Sequence, residues 1–143
     1  MLQTIIDAAK NFCTDQLGKT DIQIISQPQI PQEGMVASIE IEESNERRFK
    51  VYLAAQKEFV QDVAKIFLDE SQSDDETIKD MALECTNLIV GSAKVIASRN
   101  GLDFTISTPV LEEEDLTHRS FEEVAELTCS GNSLIIAVES LKG

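Results

Sequence analysis

The chain has 143 residues, the size of one ordinary domain with enough material to bury a core; two independent domains would be cramped. Its composition, 42% apolar and 27% charged, is that of a folding globular chain rather than a disordered one. With 26 acidic against 12 basic residues, the formal charge of −14 repels phosphate backbones and anionic bilayers, so neither nucleic acid nor membrane is an expected partner.

Leu2, Ile5, Ile6, Ala9, Phe12, Cys13 and Leu17 recur at helical spacing, and Gly18 is placed to end that first amphipathic helix. Residues 21–32 carry Ile22, Ile24 and Ile30 with Pro28 and Pro31, which predicts a short strand followed by an irregular edge and a bend before Gly34. Residues 36–42 and 49–53 alternate in polarity around the turn chemistry of Ser44, Asn45 and Glu46, and read as an antiparallel hairpin with one wet face. Phe59, Val60, Val63, Ile66 and Phe67 return to helical period over 56–69. Residues 71–76 break that helix, and Ser73 with Glu76 forms a capping-box pattern opening a long helix that runs to about Arg99 and stops at Asn100-Gly101. Phe104, Ile106 and Thr108 suit a strand that Pro109 ends or pushes to an edge, and Glu112, Glu113, Glu114 and Asp115 suit a solvated loop. Residues 122–129 and 133–140 read as a last pair of strands joined around Gly131-Asn132, although 121–127 also fits a helix. No repeat or low-complexity linker divides the chain. The expected fold is a single α+β domain over 1–143, a mainly antiparallel sheet with helices packed on one face, one of them long.

Several kinds of chemistry fall away. No apolar run approaches the roughly 20 residues that span a bilayer, and the N-terminus lacks the basic flank and apolar centre of a signal peptide, so a cytoplasmic location is expected. Cys13, Cys85 and Cys129 are odd in number, widely spaced and set among apolar residues, as suits reduced, buried thiols rather than disulfides or a metal site. His118 is the only histidine and is expected on a surface loop. There is no phosphate-binding glycine loop, dinucleotide fingerprint, nucleophile elbow or zinc-protease helix. A self-contained active site is not expected.

The long helix carries the informative residues. At about 100° per residue, Ile78, Met81, Cys85, Leu88, Ile89, Ser92 and Ile96 form one stripe, and Asp80, Glu84, Asn87, Gly91 and Lys94 lie on the far side. Gly91 costs the helix roughly 0.5–1 kcal/mol relative to Ala, so close approach of a partner is a reason for its presence. Glu84 and Asn87 sit about one turn apart: a carboxylate can fix a partner's ammonium, and a carboxamide can orient a water for in-line attack without changing protonation. The alternative is a pair of polar side chains decorating a wet helix face. Spacing alone does not decide, because Glu42 and Asn45 repeat it in a predicted turn.

Taken with its surroundings, from Glu84-Cys85-Thr86-Asn87-Leu88-Ile89-Val90-Gly91-Ser92-Ala93-Lys94 through Asp103-Phe104-Thr105-Ile106-Ser107-Thr108-Pro109, the chain resembles the CheX members of the CheC, CheX and FliY family of chemotaxis phosphatases. The resemblance implies a phosphatase that docks on a phosphorylated CheY-like response regulator and speeds loss of its aspartyl phosphate. Glu84 would engage the regulator's lysine, Asn87 would hold the attacking water, and Gly91 would lie under the docked partner, with Asp80 and Lys94 as further partner-docking residues. It implies no cofactor or metal of the chain's own, the Mg²⁺ belonging to the receiver domain, and a homodimer formed through sheet strands. The first helix has no Glu-x-x-Asn around residues 11–17, so one site per chain points to CheX rather than CheC members, and the acidic run 112–115 stands where many members have a glycine-containing loop. Two other readings share these residues: a noncatalytic regulator-binding or flagellar-switch adaptor, and a self-associating structural domain.

Overall fold

A computed structural model describes residues 1–30, 34–44, 46–69, 73–117, 119–121 and 123–141. Pro31 and Gln32 of the expected bend, Asn45 of the expected turn, Ser71 and Gln72 of the expected break, His118 and Glu122 lie outside the described residues.

The chain forms α1 (Leu2–Asn11), β1 (Ile22–Ser26), β2 (Met35–Glu43), β3 (Arg48–Ala55), α2 (Lys57–Leu68), α3 (Asp75–Arg99), β4 (Phe104–Ile106), β5 (Val110–Leu111), β6 (Glu123–Cys129) and β7 (Asn132–Leu141). The strands make one sheet in the order β1-β6-β7-β3-β2-β4, with β5 also on β2, and every pairing is antiparallel. The expected α+β class and mainly antiparallel sheet are both present. Residues 121–127, ambiguous in sequence, are strand from Glu123 because they pair along the length of β7. The β6–β7 turn is at Ser130 and Gly131, one residue before the expected place, with both in the left-handed region (φ 53° and 85°) as a two-residue hairpin turn requires.

The helices cover one face of the sheet. Ile5, Val60, Ile78, Ile89, Leu127 and Ile136, each at most 1% exposed, meet there, and full burial of side chains this size is worth about 1.5–3 kcal/mol apiece. On α1 the predicted apolar set from Ile5 to Leu17 is buried. The end of that helix widens into a π-helical turn over Phe12–Gln16 before Gly18 stops it at φ +65°. On α2 the expected stripe is only partly right: Ala64 is buried and Ile66 is exposed, because the helix turns its Phe59, Val60 and Val63 edge to the core. The N-cap of α3 is Asp74 rather than Ser73, and its carboxylate accepts from the Thr77 N–H at 2.8 Å. At the other end, Gly101 (φ +81°) allows the Leu102 N–H to reach the Ala97 carbonyl at 2.9 Å and its own N–H to reach Ser98, a Schellman stop.

The other sheet face departs from expectation. One face of the hairpin is expected to be wet, yet on that side Val36, Tyr52, Ala54, Val124, Ile135 and Ala137 form a second buried cluster with Leu116, with Ile30 and Phe121 packed against it. Leu116 and Phe121 lie on this face, and the acidic run leading to Leu116 is not simply a solvated loop. Glu113 and Glu114 are exposed, but the Glu112 carboxylate accepts from Ser38 Oγ at 2.7 Å and pairs with Lys50 Nζ at 2.8 Å. On the hairpin, this face stays wet further along, at Glu40 and Glu42, where Arg48 pairs with Glu40 at 2.9 Å. The sequence signal fails here because alternation reports polarity, while Ser38 and Lys50 are polar residues whose partner arrives from a distant segment.

All three cysteines are free and buried, as expected. Burial, then the nearby charge of Glu84, pushes the Cys85 thiol up to about 12, so it remains an unreactive thiol near neutral pH.

The Lys50 and Ser38 bonds hold the Glu112 carboxyl below its ordinary value, and the Glu112 bond raises Lys50. A carboxylate with a depressed native pKa stabilises above its unfolded value and loses that contribution as pH falls through the native one. Glu112→Gln should therefore cost about 1 kcal/mol at pH 7. In urea titrations of both proteins, this gap should narrow as pH drops below about 4; a gap independent of pH would disprove the assignment.

Candidate functional site

The exposed side of α3 follows from its buried side. Ile78, Met81, Ala82, Cys85, Thr86, Ile89, Val90, Ala93 and Ala97 are buried against the sheet and the other helices. This sector is wider than the sequence stripe and rotated toward Thr86 and Ala93: Leu88 is 36% exposed, and Ser92 and Ile96 are half-buried. The cause is that α3 packs on α1 and α2 as well as on the sheet, and small side chains at 82, 86, 93 and 97 permit that approach. Thr86, buried in mid-helix, satisfies its hydroxyl on the Ala82 carbonyl at 2.9 Å.

Asp80, Glu84, Asn87 and Lys94 all emerge in solvent, as the helical period predicts. None of their side chains makes a hydrogen bond or ion pair among the described residues. Their donors and acceptors are thus available to another molecule. Gly91 is half-buried, yet a Cβ built there would meet nothing within 4 Å. Its lack of a side chain is not demanded by packing among the described residues.

The tertiary structure divides these residues. Asp80, Glu84 and Asn87 line one open depression of 530 Å³ together with Leu83, Ile106, Ser107, Thr108 and Pro109. Lys94 instead borders a neighbouring depression of 480 Å³ with Glu42, Glu43, Glu46 and Asp103. Gly91 lies between the two along α3 and lines neither. Sequence reasoning placed Ser107, Thr108 and Pro109 near the end of a strand and gave them no part in the site. Pro109 was the available signal, since proline in a strand-like run marks an edge or a bulge. Glu42, whose spacing to Asn45 imitates the motif, belongs to β2, which removes a shared helical face from that pair.

The depression offers two carboxylates, a carboxamide and two hydroxyls, and among the described residues that line it there is no cysteine, histidine or lysine. Among the described residues no group of His, Cys, Asp and Glu is arranged to hold a metal ion, and no helix is long and apolar enough to cross a membrane. Exposed carboxylate, carboxamide and hydroxyl groups can hydrogen-bond to another molecule.

A family model described as chemotaxis phosphatase CheX matches residues 35–129. The fold is similar to that of the chemotaxis protein CheX from Vibrio vulnificus, at 17% identity and a TM-score of 0.72, covering 96% of this chain and 95% of that one. It is similar to the CheX–CheY–BeF3–Mg²⁺ complex from Borrelia burgdorferi, at 18% identity and a TM-score of 0.71, covering 98% and 97%. FliY from Thermotoga maritima matches less closely, at 20% identity and a TM-score of 0.58, covering 96% and 84%. No curated protein matches the chain.

The open space at Gly91 generates a test of folding alone. Gly91→Ala should raise stability by about 0.5–1 kcal/mol, the helix-propensity difference, measured as a shift in the urea midpoint at constant slope. Destabilisation would mean that packing inside the chain requires the glycine.

Proposed function

Because this chain belongs to the CheX family of chemotaxis phosphatases, we propose that it accelerates hydrolysis of the phospho-aspartate on a CheY-like response regulator. The observation that carries the reading is the pairing of Glu84 and Asn87, exposed and with no side-chain partner among the described residues, in one depression on the outward side of α3. Glu84 accepts from the regulator's lysine ammonium and aligns the two proteins through a charge-assisted bond. Asn87 directs a water along the line of the scissile P–O bond, accepting from one of its protons with the carboxamide oxygen or donating to its oxygen with the NH₂. No protonation change at Asn87 is needed, which suits a loose phosphoryl-transfer transition state in which positioning and charge neutralisation supply most of the catalysis. Gly91 admits the partner's backbone, and Asp80 and Lys94 border the docked surface on either side. The phosphate, the Mg²⁺ and the lysine belong to the receiver domain, so this chain needs no cofactor of its own.

The same proposal includes a homodimer joined at a sheet edge. The outer side of β1 has no strand paired to it among the described residues, and Ile24 and Ile25 are 38% and 44% exposed there. Ile25→Lys should shift the chain from dimer to monomer in sedimentation equilibrium; an unchanged mass would remove β1 as the interface.

The decisive measurement is phosphate release from an acyl-phosphorylated receiver domain with substoichiometric protein. Wild type should turn over many equivalents, and Asn87→Ala should leave only the regulator's own hydrolysis rate, with stability changed by no more than about 0.5–1 kcal/mol. Glu84→Ala should weaken docking, and Gly91→Leu should block it despite its better helix propensity. A protein that retains phosphorylated regulator without clearing it is a binder or adaptor. Undiminished turnover by Asn87→Ala would sink the mechanism.

A further inference from the structure

The wall of the depression opposite Glu84 and Asn87 is a break in strand pairing. Both β4 and β5 pair with β2, but in registers that differ by one residue: Ile106 stands opposite Ile41, whereas Val110 stands opposite Ser38. Three residues, Ser107, Thr108 and Pro109, therefore oppose two, Ile39 and Glu40. This is a β-bulge on an edge strand, and the three bulged residues are those that border the depression.

The bulge is held at its start by one hydroxyl. The Ser107 N–H donates to the Glu40 carbonyl at 2.9 Å, the first half of an ordinary antiparallel pair. The returning bond does not go to the Ser107 carbonyl: the Glu40 N–H donates to Ser107 Oγ at 2.9 Å. That hydroxyl in turn donates to the Thr108 carbonyl at 3.4 Å. At the far end, the Glu112 N–H donates to the Val36 carbonyl at 2.8 Å, and the Glu112 carboxylate is tied to Ser38 and Lys50. The segment is thus anchored on both sides of Thr108, which is exposed.

We propose that Ser107 is a positioning residue for regulator docking: by replacing its carbonyl with its hydroxyl in the pairing with Glu40, it fixes the bulge as a rigid wall for the receiver domain seated opposite Glu84 and Asn87. The inference rests on the functional reading above and assigns the bulge a part in it. Losing Oγ leaves the Glu40 amide to water and lets Thr108 and Pro109 settle toward a regular strand, which moves the wall. Glu84 and Asn87, carried by α3, stay in place. Docking should suffer more than the chemical step.

Ser107→Ala and Ser107→Thr separate this role from general stability, because threonine keeps the hydroxyl. In Ser107→Ala, protection of the Glu40 amide against hydrogen exchange should fall by about tenfold. Its Kd for the BeF3-activated receiver with Mg²⁺, and its KM for the phosphorylated receiver, should rise about three- to tenfold, with kcat within about twofold of wild type. Ser107→Thr should restore all three. An unchanged Kd in Ser107→Ala, or a weakened Kd that Ser107→Thr fails to restore, overturns the inference. Wild type that binds the receiver without turnover removes the catalytic reading while the Kd series still decides the role of Ser107. Wild type that does not bind overturns both.

Discussion

The burial of Ile78, Cys85, Ile89 and Ala93 between the sheet and the neighbouring helices sets the rotation of α3, and through it the direction of every polar side chain on the opposite side. A helix of 25 residues exposes roughly half its circumference wherever it packs, so the useful question is which half. Small residues at Ala82, Thr86, Ala93 and Ala97 let α3 approach α1 and α2 closely, which widens the buried sector and leaves Glu84 and Asn87 near the centre of what remains. Asp74 at one end and Gly101 at the other satisfy terminal backbone groups and fix where the helix starts and stops.

The sheet supplies the second half of the site through its edge. β2 is paired on one side to β3 along eight residues, while its other side carries only the short β4 and β5 with a bulge between them. Short, interrupted pairing of this kind blunts an edge against unwanted strand addition, and here it also turns backbone toward α3. The segment that continues from β5 then crosses to the other sheet face, where Leu116 and Phe121 cover an apolar cluster and Glu112 binds Lys50 and Ser38. One stretch of chain thus borders the depression and seals the second core. Its two jobs share the same anchors.

The chemistry available at the site is limited in a consistent way. Its groups are exposed, and the nearest thiol, Cys85, is buried and held in its protonated form. A chain of net charge −14 also gains little by gathering further anions, unless a cation belonging to another molecule accompanies them. These features accord with the alignment role proposed for Glu84 and Asn87.

Much of this was legible in the residues. The helical period of α3 put Asp80, Glu84, Asn87 and Lys94 on the wet side, the stop at Asn100-Gly101 was visible as glycine chemistry, and the hairpins followed from alternation and turn residues, all of which are local properties of a few neighbouring positions. The width of the buried sector was not legible, since it depends on α1 and α2, and Leu88 was accordingly misplaced. Nor was the covering of the second sheet face, which joins Tyr52 to Phe121 and Ser38 to Glu112 across long separations. The separation of Lys94 from the Glu84 depression and the one-residue bulge beside Asn87 belong to the same class. The sequence by itself determined which residues face outward on the long helix, because helix geometry repeats every few residues. Only the tertiary structure decided what stands opposite them, because strand register is set by pairing between segments far apart in the chain.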